Sequence, residues 1–109
     1  MLNTACTSSM LNTMLPVIQI DGTGRPDEGV ATRFGMGGME LEAHAVPSGR
    51  YEWLEFQIPE SGHRVKALGE VVSVVCSQGQ IRVHVQFKHV FPADRLAMSG
   101  FLQAHAVAA

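Results

Sequence analysis

The sequence predicts a mainly β domain: a small six-stranded antiparallel barrel followed by one C-terminal α-helix. Three observations predict it. Ile81, Val83, Val85 and Phe87 alternate with Arg82, His84, Gln86 and Lys88, a period of two that puts the apolar set on one face of a strand. Short segments of this kind recur at regular spacing, divided by Gly, Pro, Asp and Ser turns, which is the pattern of a small antiparallel barrel. After Phe87 the period changes to a helical one. The chain has 109 residues, the length of one domain with a modest core.

Met1 to Thr13 is polar and small, and is expected to be a flexible arm (1–13) ahead of a domain at 14–109. The tetrad Met-Leu-Asn-Thr occurs at Met1 and again at Met10; the duplication either is without meaning or marks Met10 as an alternative start. Met14 to Ile20 is the first strand. Pro16 lacks a ladder donor, so this strand begins there or lies at an edge. Asp21 to Gly24 has turn chemistry, and Arg25 to Glu28 continues it as an exposed loop. Val30, Thr32 and Phe34 are the expected inward set of the second strand. Gly35-Met36-Gly37-Gly38 breaks it. Met39, Leu41 and Ala43 alternate with Glu40, Glu42 and His44 in a third, half-buried strand. After a loop with Pro47 and Gly49, Glu52, Leu54, Phe56 and Ile58 share one side of the fourth strand, and Tyr51, Trp53, Glu55 and Gln57 share the other.

The centre of the pattern is a hairpin over Arg64 to Lys88. Its first arm is nearly unbroken at Val71-Val72-Ser73-Val74-Val75-Cys76, which reads as a strand covered on both faces, by a helix or a second subunit. Gly69 marks a bend or a close backbone approach. Ser77-Gln78-Gly79-Gln80 is the turn, with Gly79 free to take positive φ. Pro92 and Asp94 then open a helix, with a rough stripe of Leu96, Met98, Phe101, Leu102 and His105 weakened at Gly100 by about 1 kcal/mol.

A net charge of −2 with scattered basic residues argues against a nucleic-acid polymer as partner. No stretch approaches the ~18 apolar residues of a membrane helix, and no signal peptide is expected. Cys6 and Cys76 lie far apart, the usage of reduced cytoplasmic thiols. Six Met and a low charge fraction fit either core filling or an apolar surface for a partner.

The order of elements resembles the PilZ domain, a bacterial family known for binding cyclic di-GMP. The resemblance spans Leu15 to Gln103. It rests on Val30 to Leu41 as strand, Gly-Gly turn and strand; on Gly69-Glu70-Val71-Val72 as the family's core strand; and on Val83 to Phe87 followed by Asp94-Arg95 and Phe101-Leu102. The family binds its nucleotide with Arg-x-x-x-Arg before the first strand, whose guanidiniums suit phosphate and guanine faces. Here no Lys or Arg precedes Arg25. The second family motif is Asp/Asn-x-Ser-x-x-Gly at the turn between the second and third strands. Aligned on Gly38, its acidic position is Arg33 and its serine is Gly35. Gly38, preceded by Gly37, is what remains.

The resemblance therefore implies a PilZ-like scaffold emptied of its nucleotide contacts. It points to a non-catalytic adaptor in motility, pilus or second-messenger signalling, without a cofactor. The alternative is a cyclic di-GMP receptor using Arg25, Arg33, Gly35, Gly37 and Gly38. Arg33, facing outward, is either a solvated surface residue or a residual phosphate contact. Tyr51 and Trp53 are either covered by the helix or are anchors for a protein partner, and a homodimer is a further expectation. None of the five His has metal-site spacing. Cys76 reads as an inert buried thiol, and Glu40 with Glu42 as a solubilising face.

Overall fold

A computed structural model describes residues 10–105. Its elements are β1 (Leu11–Ile20), β2 (Pro26–Gly35), β3 (Gly38–Ala43), β4 (Tyr51–Gln57), β5 (Arg64–Ser77), β6 (Gln80–Val90) and α1 (Pro92–Ala104). All strand pairs are antiparallel, and the sheet closes as β1-β2-β3-β6-β5-β4. The six-stranded barrel with a trailing helix is as the sequence predicts.

Period-two burial builds the core. Leu15 and Val17 of β1, Met39 and Leu41 of β3, Leu54 and Phe56 of β4, Val65 and Ala67 of β5, and Val83 and Val85 of β6 are all buried. Phe34 sits at the centre of an aromatic cluster, with ring centroids 5.4 Å from Phe56, 6.5 Å from Phe87 and 6.4 Å from Phe101. Such pairs contribute roughly 0.5–1.5 kcal/mol each beyond burial. Phe101 brings α1 onto this end of the barrel, where Met98 is fully buried. Pro92 starts the helix, and Asp94 ties its first turn to β5: its carboxylate lies 2.8 Å from His63 Nε2 and accepts the Lys66 N–H at 3.2 Å.

Several expectations need correction. β1 begins at Leu11, not Met14; of the expected arm, 1–9 lies outside the described residues. Pro16 sits where β1 pairs with β2 alone, because pairing with β4 starts at Val17. The stretch Pro26 to Glu28 is strand, not loop, paired with Ile18 to Ile20. Val30 and Thr32 are not inward. Gly29 and Ala31 are buried instead, and a bulge between Ala31 and Arg33 then resets the alternation so that Phe34 enters the core. One inserted residue exchanges the faces of everything beyond it. On α1, Leu96 is exposed rather than part of the buried stripe.

The largest correction concerns the central hairpin. Its turn is as expected, with Gln78 at φ 53° and Gly79 at φ 78°, the two positive values of a type I′ connection. The second half of β5 is not covered on both faces. Val72 and Val75 are each 55% exposed, and Cys76 is an exposed free thiol rather than a buried one. The cause is topological: β4 pairs with β5 only over Arg64 to Glu70.

Candidate functional site

The glycine corner lies at the helix-capped end of the barrel. Gly35 pairs with Gly38 across the Met36-Gly37 turn, and the Phe87 N–H donates to the Gly37 carbonyl at 2.8 Å. A Cβ on Gly38 would stand 2.1 Å from the Val85 carbonyl oxygen. Gly38 is therefore demanded by the close approach of β3 to β6. Gly37 has nothing within 4 Å of such a Cβ, so it is open outward. Arg33 stands beside this corner on the outer face, half-buried, with Nη1 3.3 Å from Glu40 Oε2. A carboxylate of the neighbouring strand is thus among its partners.

Arg25 is elsewhere. It closes the β1–β2 turn at the opposite end of β2, about 25 Å along the strand from Arg33 at ~3.3 Å per residue. The structure thus brings together Arg33, Gly35, Gly37 and Gly38, and leaves Arg25 apart from them.

That far end holds a feature absent from the sequence-based expectations. Gln19 and Glu52 point inward and are only 3% and 2% exposed. Gln19 Nε2 donates to both Glu52 carboxylate oxygens, at 3.2 and 3.3 Å. Burial pushes the Glu52 carboxyl up to about 7; the Gln19 hydrogen bond opposes this, while Asp21 and Asp27 add to it. Asp21 differs: hydrogen bonds from Thr23, and then Ser48, hold it down at about 2. Both acids, with Arg25, Asp27 and Gln19, line a cavity of about 30 Å³. Gln19 Oε1 is buried without a hydrogen-bond partner among the described residues. The signal is present in the alternation, since Glu52 shares a side with Leu54 and Phe56.

Tyr51 and Trp53 do lie on the outer face of β4. Tyr51 is exposed, with the Arg50 guanidinium 5.5 Å from its ring centroid. Trp53 is half-buried, and the group seated over its ring is the Lys66 ammonium at 5.3 Å. Such cation–aromatic contacts hold both rings in place while leaving an amphipathic surface. Glu70 holds Arg50, accepting from its Nε at 2.6 Å, and lies 3.4 Å from Lys88 Nζ, while Lys66 Nζ lies 3.9 Å from Glu55 Oε2. The Arg50 hydrogen bond holds the Glu70 carboxyl below its ordinary value.

A cleft of about 710 Å³ runs over the outer face beside β1 and β4. Met14, Pro16, Ile18 and Val30 give it an apolar floor, and Glu28, Glu60 and Arg64 lie among its lining charges. It opens where β1 runs beyond its pairing with β4.

The histidines are mostly paired: His63 with Asp94, His105 with Glu60 and His44 with Asp27. Among the described residues no group of three His, Cys, Asp or Glu is placed to hold a metal ion, and no helix is long and apolar enough to cross a membrane.

No family model matches the chain, and no curated protein matches it by sequence. Solved structures do match, and the chain has a PilZ-like fold. The Bacillus subtilis inhibitor of motility (MotI/DgrA) superposes with TM-score 0.75 at 13% identity, over 87% of this chain and 48% of that one. This chain thus spans about half of that protein. The PilZ domain of CeSA from a cellulose-synthesizing bacterium gives TM-score 0.63 at 14% identity, over 87% of this chain and 95% of the other. The PilZ domain of Escherichia coli YcgR, solved with c-di-GMP, gives 0.63 at 12% identity, over 83% and 80%.

Proposed function

We propose that this chain is a non-catalytic PilZ-like adaptor of the bacterial cytoplasm. It acts through a protein partner in motility, pilus or second-messenger signalling, and does not take cyclic di-GMP in the usual way. One observation carries the reading. At the corner where the family's guanine-reading groups would stand, the retained Gly38 is accounted for by strand packing, and Arg33 is engaged by Glu40. The leading segment supplies no arginine, and Arg25 is at the far end of its strand. A doubly anionic ligand would meet one arginine, already held by the Glu40 carboxylate, and the family motif's acidic and serine positions are filled by Arg33 and Gly35.

The partner face is Tyr51 and Trp53 with their Arg50 and Lys66 lids. Aromatic and Arg side chains dominate interface energetics. The likeness to an inhibitor of motility supports the motility branch of the reading, and the fold shared with a YcgR domain solved with c-di-GMP favours a second reading. In that second reading Arg33 leaves Glu40 for a phosphate, beside Gly35, Gly37 and Gly38.

Isothermal titration with cyclic di-GMP separates them. Silence at millimolar ligand is the expected result. Micromolar binding that Arg33→Ala abolishes establishes the receptor instead. For the adaptor, Trp53→Ala is expected to cut capture of the partner in pull-down; unchanged capture removes Trp53 from the interface.

A further inference from the structure

We infer that the distal half of β5 is a self-pairing edge, and that a second copy of this chain adds to it as an antiparallel strand. β6 is covered on its outer side by β3 as far as the Ala43–Ile81 pair. β5 has no such cover. Its pairing with β4 ends at Tyr51–Glu70, and the Val71 N–H donating to the Arg50 carbonyl at 2.7 Å closes that seam. From Val72 to Ser77 the strand pairs with β6 alone among the described residues. One edge of it therefore presents alternate N–H and C=O groups outward.

The open segment reads Val-Ser-Val-Val-Cys-Ser. Three of its six residues are β-branched Val, and none is charged, Pro or Gly. Proteins that keep an exposed edge single blunt it with Lys, Pro or a bulge. Neither Lys nor Pro lies within this segment; β5 has two register irregularities, at Leu68/Gly69 and at Val71/Ser73, and the second falls on Val72, so the regular open edge runs from Ser73 to Ser77. Val72, Val75 and Cys76 are exposed around it.

Charge selects the occupant. In a two-fold antiparallel pair, residue i of one copy meets j of the other and j meets i, so a charged residue near the axis faces its own kind and repels it. No charge occurs from Val71 to Gln80. The strand therefore meets no like-charge repulsion from a second copy, and has no charge of its own to draw a charged peptide. Antiparallel addition also carries the partner's turn toward Arg50 and the exposed Tyr51, which extends the contact beyond the strand itself. The inference does not depend on the adaptor reading, because it is read from mass rather than from capture or ligand binding.

The test is sedimentation equilibrium of the full chain across a dilution series, from high-micromolar to nanomolar. The expected result is a reversible dimer of the 11.8 kDa chain. Val72→Lys with Val75→Lys is expected to raise the dissociation constant at least about tenfold, with far-UV circular dichroism unchanged because both side chains are more than half exposed. Leu96→Lys, on the exposed side of α1, is expected to leave it unaltered. Amide exchange over Val72 to Ser77 provides a second measurement and slows as concentration rises. A monomer at every concentration, open-ended oligomers, or a dimer indifferent to both lysines overturns the inference. So does an equal loss in Leu96→Lys, or exchange in this segment that ignores concentration.

Discussion

Replacing Glu52 by Gln is expected to make the protein more stable at alkaline pH and to leave it nearly unchanged in acid. Glu52 is buried against Gln19 at the open end of the barrel, and its carboxyl is raised from 4.5 to about 7, chiefly by burial. Between those values the folded chain holds a proton that the unfolded chain has released. The unfolding free energy must then fall as pH rises through this window. At about 1.4 kcal/mol per pH unit, the fall attributable to Glu52 is at most about 3 kcal/mol. Below the unfolded value both states are protonated, and the stability is fully present. The introduced amide would carry no charge at any pH. It would still accept from Gln19 Nε2, and its own NH₂ could donate to Gln19 Oε1, now buried without a partner among the described residues. The assay is urea unfolding of both forms from about pH 4 to about pH 8, followed by the fluorescence of Trp53, the one tryptophan in the chain. Subtracting the two curves removes the contributions common to both forms. The expected difference is near zero at low pH and about 2–3 kcal/mol in favour of the Glu52→Gln form at high pH. A difference that is flat across the range, or one that favours the original carboxyl as pH rises, refutes the reasoning.

Gly38→Ala should destabilise the fold by roughly 2–4 kcal/mol, because the new methyl meets the Val85 carbonyl and backbone must shift; the same urea midpoint measures it. Met98→Ala empties a fully buried site under α1 and should cost about 2–5 kcal/mol, with the Phe101 amide exchanging faster as the helix loosens. Gly79→Ala forces a Cβ into φ 78° and should cost about 1–2 kcal/mol in thermal unfolding while leaving the far-UV spectrum intact.

The barrel is legible in the sequence because most of its strands keep strict alternation over their buried stretch. Ile81 to Phe87 and Tyr51 to Ile58 show both their position and their inner face. Where alternation breaks, sequence and structure part for identifiable reasons. The bulge after Ala31 is invisible in composition, so periodicity alone turns Val30 and Thr32 inward. The Val-rich end of β5 looks doubly covered because periodicity reports what a residue wants, and not whether a neighbouring strand is long enough to supply it. The β4 pairing stops seven residues short of the end of β5, and only the three-dimensional pairing reveals that. Of the candidate site, the outer placement of Arg33 and the outward Tyr51 and Trp53 are readable. The Gln19–Glu52 pair is not, since an acid on an apolar stripe gives no sign of its partner on a distant strand.

The glycine corner has a consequence for how far likeness to known structures can be carried. In the proposed reading Gly38 is what remains of the family's nucleotide motif, and at first sight its presence argues for a ligand. Its Cβ would press directly into a β6 carbonyl, so any chain that packs β3 against β6 in this way needs glycine there, with or without a nucleotide. The polar positions of the motif carry no such packing duty. On the proposed reading those positions are Arg33 and Gly35. A fold can thus keep the glycine through sterics alone while the chemistry beside it drifts. Substituting both positions back, Arg33→Asp with Gly35→Ser, tests whether the corner is otherwise competent. Because the leading segment still lacks its arginines, the expected result in titration calorimetry is continued silence toward cyclic di-GMP. Binding recovered by those two changes would place the whole defect at the corner and refute the claim that the arm matters.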